Sequence, residues 1–158
     1  MKPMRRKDRQ MPEEEARALL AKGEYGVLAT VEEGDQPYGV PLSYVVVENS
    51  IYFHCAYQGH KVENLRHQPK VCFTVVGGTK PVFSGGDFST LYQSVVVFGT
   101  AAEVTEDAKK AEVLTALCQK YMPEYSHEIP ASLAKDGKHT AVWAVAIQQI
   151  SGKSKKEE

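Results

Sequence analysis

Three β-branched and aromatic runs, Tyr25 to Val31, Tyr38 to Val47 and Ile51 to Cys55, follow one another with only short polar connections between them. Glu33-Gly34-Asp35 supplies the first turn and Glu48-Asn49 the second. Neighbouring parallel strands need a crossover of about a dozen residues, so these three form an antiparallel meander. That topology excludes a doubly wound nucleotide-binding sheet. The glycine pairs Gly77-Gly78 and Gly85-Gly86 also lack the spacing of a dinucleotide or P-loop fingerprint.

The rest of the chain adds helices around more strands. Pro12, placed at the first helical position, and Glu13-Glu14-Glu15 suit a helix start, Leu19 and Leu20 give it an apolar side, and Gly23 stops it. Gly59 to His67 switches to helical spacing, with Val62 and Leu65 three apart and Pro69 beyond. Val71 to Val76 reads as a fourth strand, Gly77 to Leu91 as a long Gly- and Ser-rich loop, and Tyr92 to Val104 as a fifth strand. Thr105-Glu106-Asp107 opens a helix to about Tyr121 with Val113, Leu114 and Leu117 on one stripe. Met122 to His139 allows short helical pieces, and Thr140 to Ile150 is a sixth strand. The expectation is a mainly β, six-stranded antiparallel barrel with peripheral helices, one domain over 1–158, with an arm at 1–11 and a frayed tail at 151–158.

Charge and cysteine usage narrow the function classes. Lys+Arg 19 against Asp+Glu 20 gives a formal net charge of −1, which removes the long-range field of a dedicated nucleic-acid or membrane-surface binder. The basic residues Lys2, Arg5, Arg6, Lys7 and Arg9 then read as a solvated or docked terminus. No apolar run approaches the ~20 residues that span a bilayer, and no apolar stretch follows the basic start as in an export signal. Cys55, Cys72 and Cys118 are odd in number and form no CxxC pair, so a reducing cytoplasm is the expected setting.

The stretch HCAYQGHKVEN, His54 to Asn64, carries the most chemistry. It leaves a strand, turns at Gly59 and enters a helix with His60 and Lys61 in its first turn and Asn64 one turn on. A helix N-terminus with free N–H groups and a lysine is an anion site, with phosphate its commonest occupant; a solvated basic helix face is the alternative. His54 shares a sheet face with Tyr52 and reads either as a structural histidine or as a catalytic one. His54, His60 and His67 lack a carboxylate or cysteine at ligand spacing, so no metal is expected. The hydroxyls of Ser89, Thr90, Tyr92 and Ser94 suit either phosphate or loop backbone. Trp143 fits core packing, an aromatic wall or a subunit interface. No hydrolase triad or carboxylate pair stands out.

Taken in order, YGVLATV, QPYGVPLSYVV, IYFHCAYQGHKVENLRHQPKVCF, DFSTLYQSVVVFGTA and the terminal ISGK resemble the FMN-binding split-barrel proteins of the pyridoxamine 5′-phosphate oxidase-like superfamily. The resemblance is to the branch related to Nim 5-nitroimidazole resistance proteins. It implies a homodimer with FMN in grooves between subunits. Lys61 and His60, helped by Asn64 and Ser94, would hold the FMN phosphate. Pro41, Leu42, Ser43 and Tyr44 would line the ring, His54 would face flavin or substrate, and Trp143 would approach from the partner. The implied activity is FMN-dependent reduction of nitroaromatic or nitroimidazole-type small acceptors, with NAD(P)H or a reduced carrier as donor. Flavin or haem binding without turnover is the alternative. The Arg-rich C-terminal substrate motif of true pyridoxamine phosphate oxidases is replaced here by QQISGKSKKEE, which speaks against that substrate.

Overall fold

The structure is a computed structural model that describes residues 1–157. In chain order its elements are β1 (Gln10–Met11), α1 (Glu13–Lys22), β2 (Gly26–Val31), β3 (Pro37–Leu42), β4 (Val45–Val47), β5 (Ser50–Cys55), α2 (His60–His67), β6 (Lys70–Ser84), β7 (Asp87–Val104), α3 (Asp107–Tyr121), α4 (Ile129–Asp136) and β8 (Ala141–Lys155). The strands form one antiparallel sheet in the order β3-β2-β6-β7-β8-β5-β4, with β1 paired to β8.

Chain connectivity forces this sheet to curl. β3 and β4 stand at opposite ends of the hydrogen-bonded path, yet only Ser43 and Tyr44 separate them in sequence. Leu42 and Val45 therefore lie within roughly 10 Å of each other, and the two sheet edges must meet. A register shift in β8 opposite Phe98 and Gly99 adds bend to the longest pairing, as bulges do. Gly99 is required there, because a side chain would run into the Ala146 carbonyl.

Strand alternation then sorts side chains between two cores. Leu28, Phe53, Phe73, Val75, Val95, Val97, Trp143 and Val145 point into the barrel, where Ala16 and Leu20 of α1 and Val62 and Leu65 of α2 meet them. The opposite face of β4, β5 and β8 presents Val45, Tyr52 and Val142 to Val113 and Leu117 of α3. Asn64 is buried too, and its amide donates to the buried Thr30 hydroxyl at 3.0 Å, tying α2 to β2. The outer face of β2, β6 and β7 leaves Val27, Val76 and Phe98 exposed.

The fold class matches the sequence expectation, but the strand inventory differs in four places. The second predicted strand breaks at Ser43-Tyr44 into β3 and β4, and β1 is added at the N-terminal arm. The predicted loop Gly77 to Leu91 is instead a hairpin: β6 and β7 stay paired out to Ser84↔Asp87, and Gly85 and Gly86, both at positive φ, make the turn. The predicted frayed tail is ordered as far as strand pairing goes, since Ser151 to Lys155 belong to β8 and pair with β7. Glu158 lies outside the described residues. Pro12 also sits just before the first helical residue and not at it.

Candidate functional site

The chain leaves β5 at Cys55 and enters α2 through Gly59, whose φ of 135° is left-handed territory open to glycine. Among the described residues nothing lies within 4 Å of where a Gly59 side chain would stand, and no side chain caps the helix start. The first N–H groups of α2 are thus presented at an open mouth. Lys61, half-buried, sits in this first turn with its Nζ 5.6 Å from the Phe53 ring centroid. Among the described residues no carboxylate stands within ion-pair distance of it.

The neighbours expected to assist Lys61 are otherwise engaged. His60 Nε2 is 2.5 Å from Glu32 Oε1, and its ring packs 4.0 Å from that of Tyr38. Asn64 is turned into the fold toward Thr30. Ser94 lies on β7 between Val76 and Lys153. Glu103, which pairs with Arg66 of α2 at 3.7 Å, is nine residues further along that strand, about 30 Å of extended chain. One copy of the chain therefore does not bring Ser94 and Lys61 together.

His54 points the other way from the barrel core, as its alternation with Phe53 required. It stands on the wall of a cavity of about 400 Å³ together with Ser43, Leu117, Tyr121, Met122 and Leu133. Burial, and after it the charge of Lys61, holds the imidazole below its ordinary pKa. The walls are mainly apolar, suited to a planar aromatic group with few polar contacts.

The bend between β3 and β4 forms one rim of this cavity. Pro41 and Ser43 are exposed and Leu42 is half-buried, whereas Tyr44 is fully buried, its ring edge-on to Phe73 at 4.9 Å. Its hydroxyl donates to the Leu20 carbonyl, so its ring is committed to the core, and of this bend Ser43 lines the cavity. The Tyr44 backbone is held by the end of α3. Tyr44 N–H donates to the Tyr121 hydroxyl at 3.0 Å, and Lys120 Nζ donates to the Tyr44 carbonyl at 2.9 Å. Lys120 also sits 3.9 Å above the Tyr44 ring centroid, and burial pushes its ammonium down to about 8. Neither α3 residue was suggested by sequence, since a Lys-Tyr pair at a helix end carries no distinguishing pattern.

Trp143 lies inside the barrel, 4% exposed, between Phe53 of β5 and Glu103 of β7. It is on the opposite face of the sheet from His54, and its buried Nε1 has no hydrogen-bond partner among the described residues.

The curled antiparallel sheet, its two edges brought together by the β3–β4 bend, is of the split-barrel class. Residues 12–154 match the family described as pyridoxamine 5′-phosphate oxidase, and the chain belongs to that family. No curated protein sequence matches it. Among solved structures it is similar to a candidate 5-nitroimidazole antibiotic resistance protein from Bacteroides thetaiotaomicron, at 21% identity over 92% of this chain and 86% of that one, TM-score 0.78. It is similar to the flavocytochrome Anf3 from Azotobacter vinelandii, at 23% identity over 98% and 73% of the two chains, TM-score 0.83. It is also similar to the FAD and heme binding protein from Mycobacterium smegmatis, at 25% identity over 94% and 74%, TM-score 0.82. No helix among the described residues is long and apolar enough to cross a membrane.

Proposed function

We propose that the protein is an FMN-dependent oxidoreductase that works as a homodimer and reduces small nitroaromatic or nitroimidazole-type acceptors, drawing on NAD(P)H or a reduced carrier. The observation that carries this reading is Lys61, a cation without an acidic partner among the described residues, at an uncapped helix mouth whose neighbouring strand leads to the His54 cavity. Lys61 and the α2 N–H groups fit a phosphate monoester. Leu42, Ser43 and the Tyr44 backbone fit the edge of a flavin ring, and Ser94 would reach the phosphate held by Lys61 only from a second copy. The exposed apolar face of Val27, Val76 and Phe98 supports such a pairing.

A bound flavin supplies the redox chemistry; the chain supplies position, protection from water and protons. Below neutrality His54 takes up a proton at its imidazole, next to the cavity where an acceptor would lie. The names of the nitroimidazole-resistance and flavin-binding relatives support the same reading.

The test is optical. Protein loaded with FMN is bleached by NAD(P)H or dithionite without oxygen, and a nitroimidazole should restore the flavin absorbance. A bleached protein that no nitro compound reoxidises would reject the turnover reading. A second reading, flavin or haem binding without turnover, is favoured by the two haem- or cytochrome-named relatives and by a histidine facing an apolar cavity. Haem titration with a sharp Soret band dependent on His54 would select it.

A further inference from the structure

Beyond the His54 cavity, between α3 and the turn after α4, lies a smaller cleft of about 230 Å³. The two share Leu114, Leu133 and Gly137 as walls. Lys110 of α3 lines the smaller cleft and is 9% exposed. Its Nζ donates to the Tyr57 hydroxyl at 2.7 Å and to the Gly137 carbonyl at 3.5 Å, and it lies 5.3 Å from the Tyr57 ring centroid. Among the described residues no carboxylate pairs with it. Asp107, one turn earlier, and Lys138 line the same cleft, which leaves two cations against one acid.

A lysine this deeply buried is ordinarily paired with an opposite charge, because an ammonium with only neutral partners has lost water without a compensating ion. Two of its three donors are used, and Gly137, whose carbonyl accepts one of them, is a residue that also lines the larger cavity. We infer that Lys110 determines specificity by binding a carboxylate on the acceptor, whose aromatic ring occupies the apolar cavity beside His54. This rests on the proposed acceptor chemistry. The preferred acceptors are then anionic nitroaromatics.

Calorimetry on the FMN-loaded protein with para-nitrobenzoate and para-nitrobenzamide tests the assignment, since the two differ chiefly in charge at one substituent. The benzoate should bind at least about tenfold more tightly, the scale of one charge-assisted hydrogen bond. Lys110→Met should abolish that preference while benzamide affinity holds, and Lys110→Arg should retain it. Tyr57→Phe, which keeps the ammonium, should retain it as well. Equal affinities in the wild-type protein, or a preference that survives Lys110→Met, would overturn the inference, and Lys110→Gln makes the same comparison if Lys110→Met does not fold. Anaerobic reoxidation with the same compounds separates the two ideas. Selective binding with no electron uptake defeats the oxidoreductase reading and leaves the Lys110 assignment standing. Uptake without charge preference does the reverse.

Discussion

Lys61 and His54 are coupled through charge, so each reports on the other. Replacing Lys61 with Ala should weaken FMN binding by about 1.5 to 3 kcal/mol, the range for a hydrogen bond to a charged group, and a fluorescence titration showing unchanged affinity would remove Lys61 from the site. The same substitution takes away one of the two causes that hold the His54 imidazole down. Its titration by NMR should therefore move up toward, but not beyond, the ordinary histidine value, because burial remains. Both causes favour the neutral imidazole. Any acid step that it serves in acceptor reduction should slow as pH rises through its lowered pKa, and His54→Ala should flatten that limb of the profile.

At the level of elements, the end of α3 does for the β3–β4 bend what a strand ladder does elsewhere, through Lys120 and Tyr121 on the Tyr44 peptide. Lys120 gives this contact a pH signature. Its folded pKa is about 8 against an ordinary 10.5, so between those values the unfolded chain holds a proton that the folded one has released. Stability from this group rises with pH across that interval and is least below 8. The Tyr44 phenol, pushed up by burial and by Tyr121, acts oppositely above its ordinary 10.0. The difference between wild type and Lys120→Met in urea midpoint, followed by circular dichroism, should therefore change between about pH 8 and 10. A constant offset would show that Lys120 is protonated throughout. The elements themselves were legible where one face is buried: Val62 and Leu65, or Val113 and Leu117, stand at helical spacing because they meet the sheet. The outer hairpin was not legible, because most of Gly77 to Leu91 is solvated on both faces and has no alternation to read. Likewise the polar Ser151 to Lys155 run becomes a strand only through pairing with β7 and β1, a long-range fact.

For the whole molecule, the prediction is assembly. Light scattering should give a mass near twice 17.5 kDa, and Phe98→Glu, which puts a charge on the exposed apolar face, should shift it toward the single chain. A wild-type protein that scatters as one chain would defeat the shared groove and leave Ser94 without a role at the flavin. The helix mouth of the candidate site was readable because glycine, lysine and a strand end are adjacent in sequence. Lys110 was not, since a lysine on an amphipathic helix looks solvated until the Tyr57 segment and the turn at Gly137 close over it.

The lone tryptophan, sealed in the barrel with an unpartnered indole nitrogen, makes the protein its own optical probe. Its emission should peak at short wavelength in the native state and move to the red on unfolding. If the proposed flavin binds, the emission should also dim by energy transfer as FMN is added, giving one wavelength scan that counts both folded and occupied molecules.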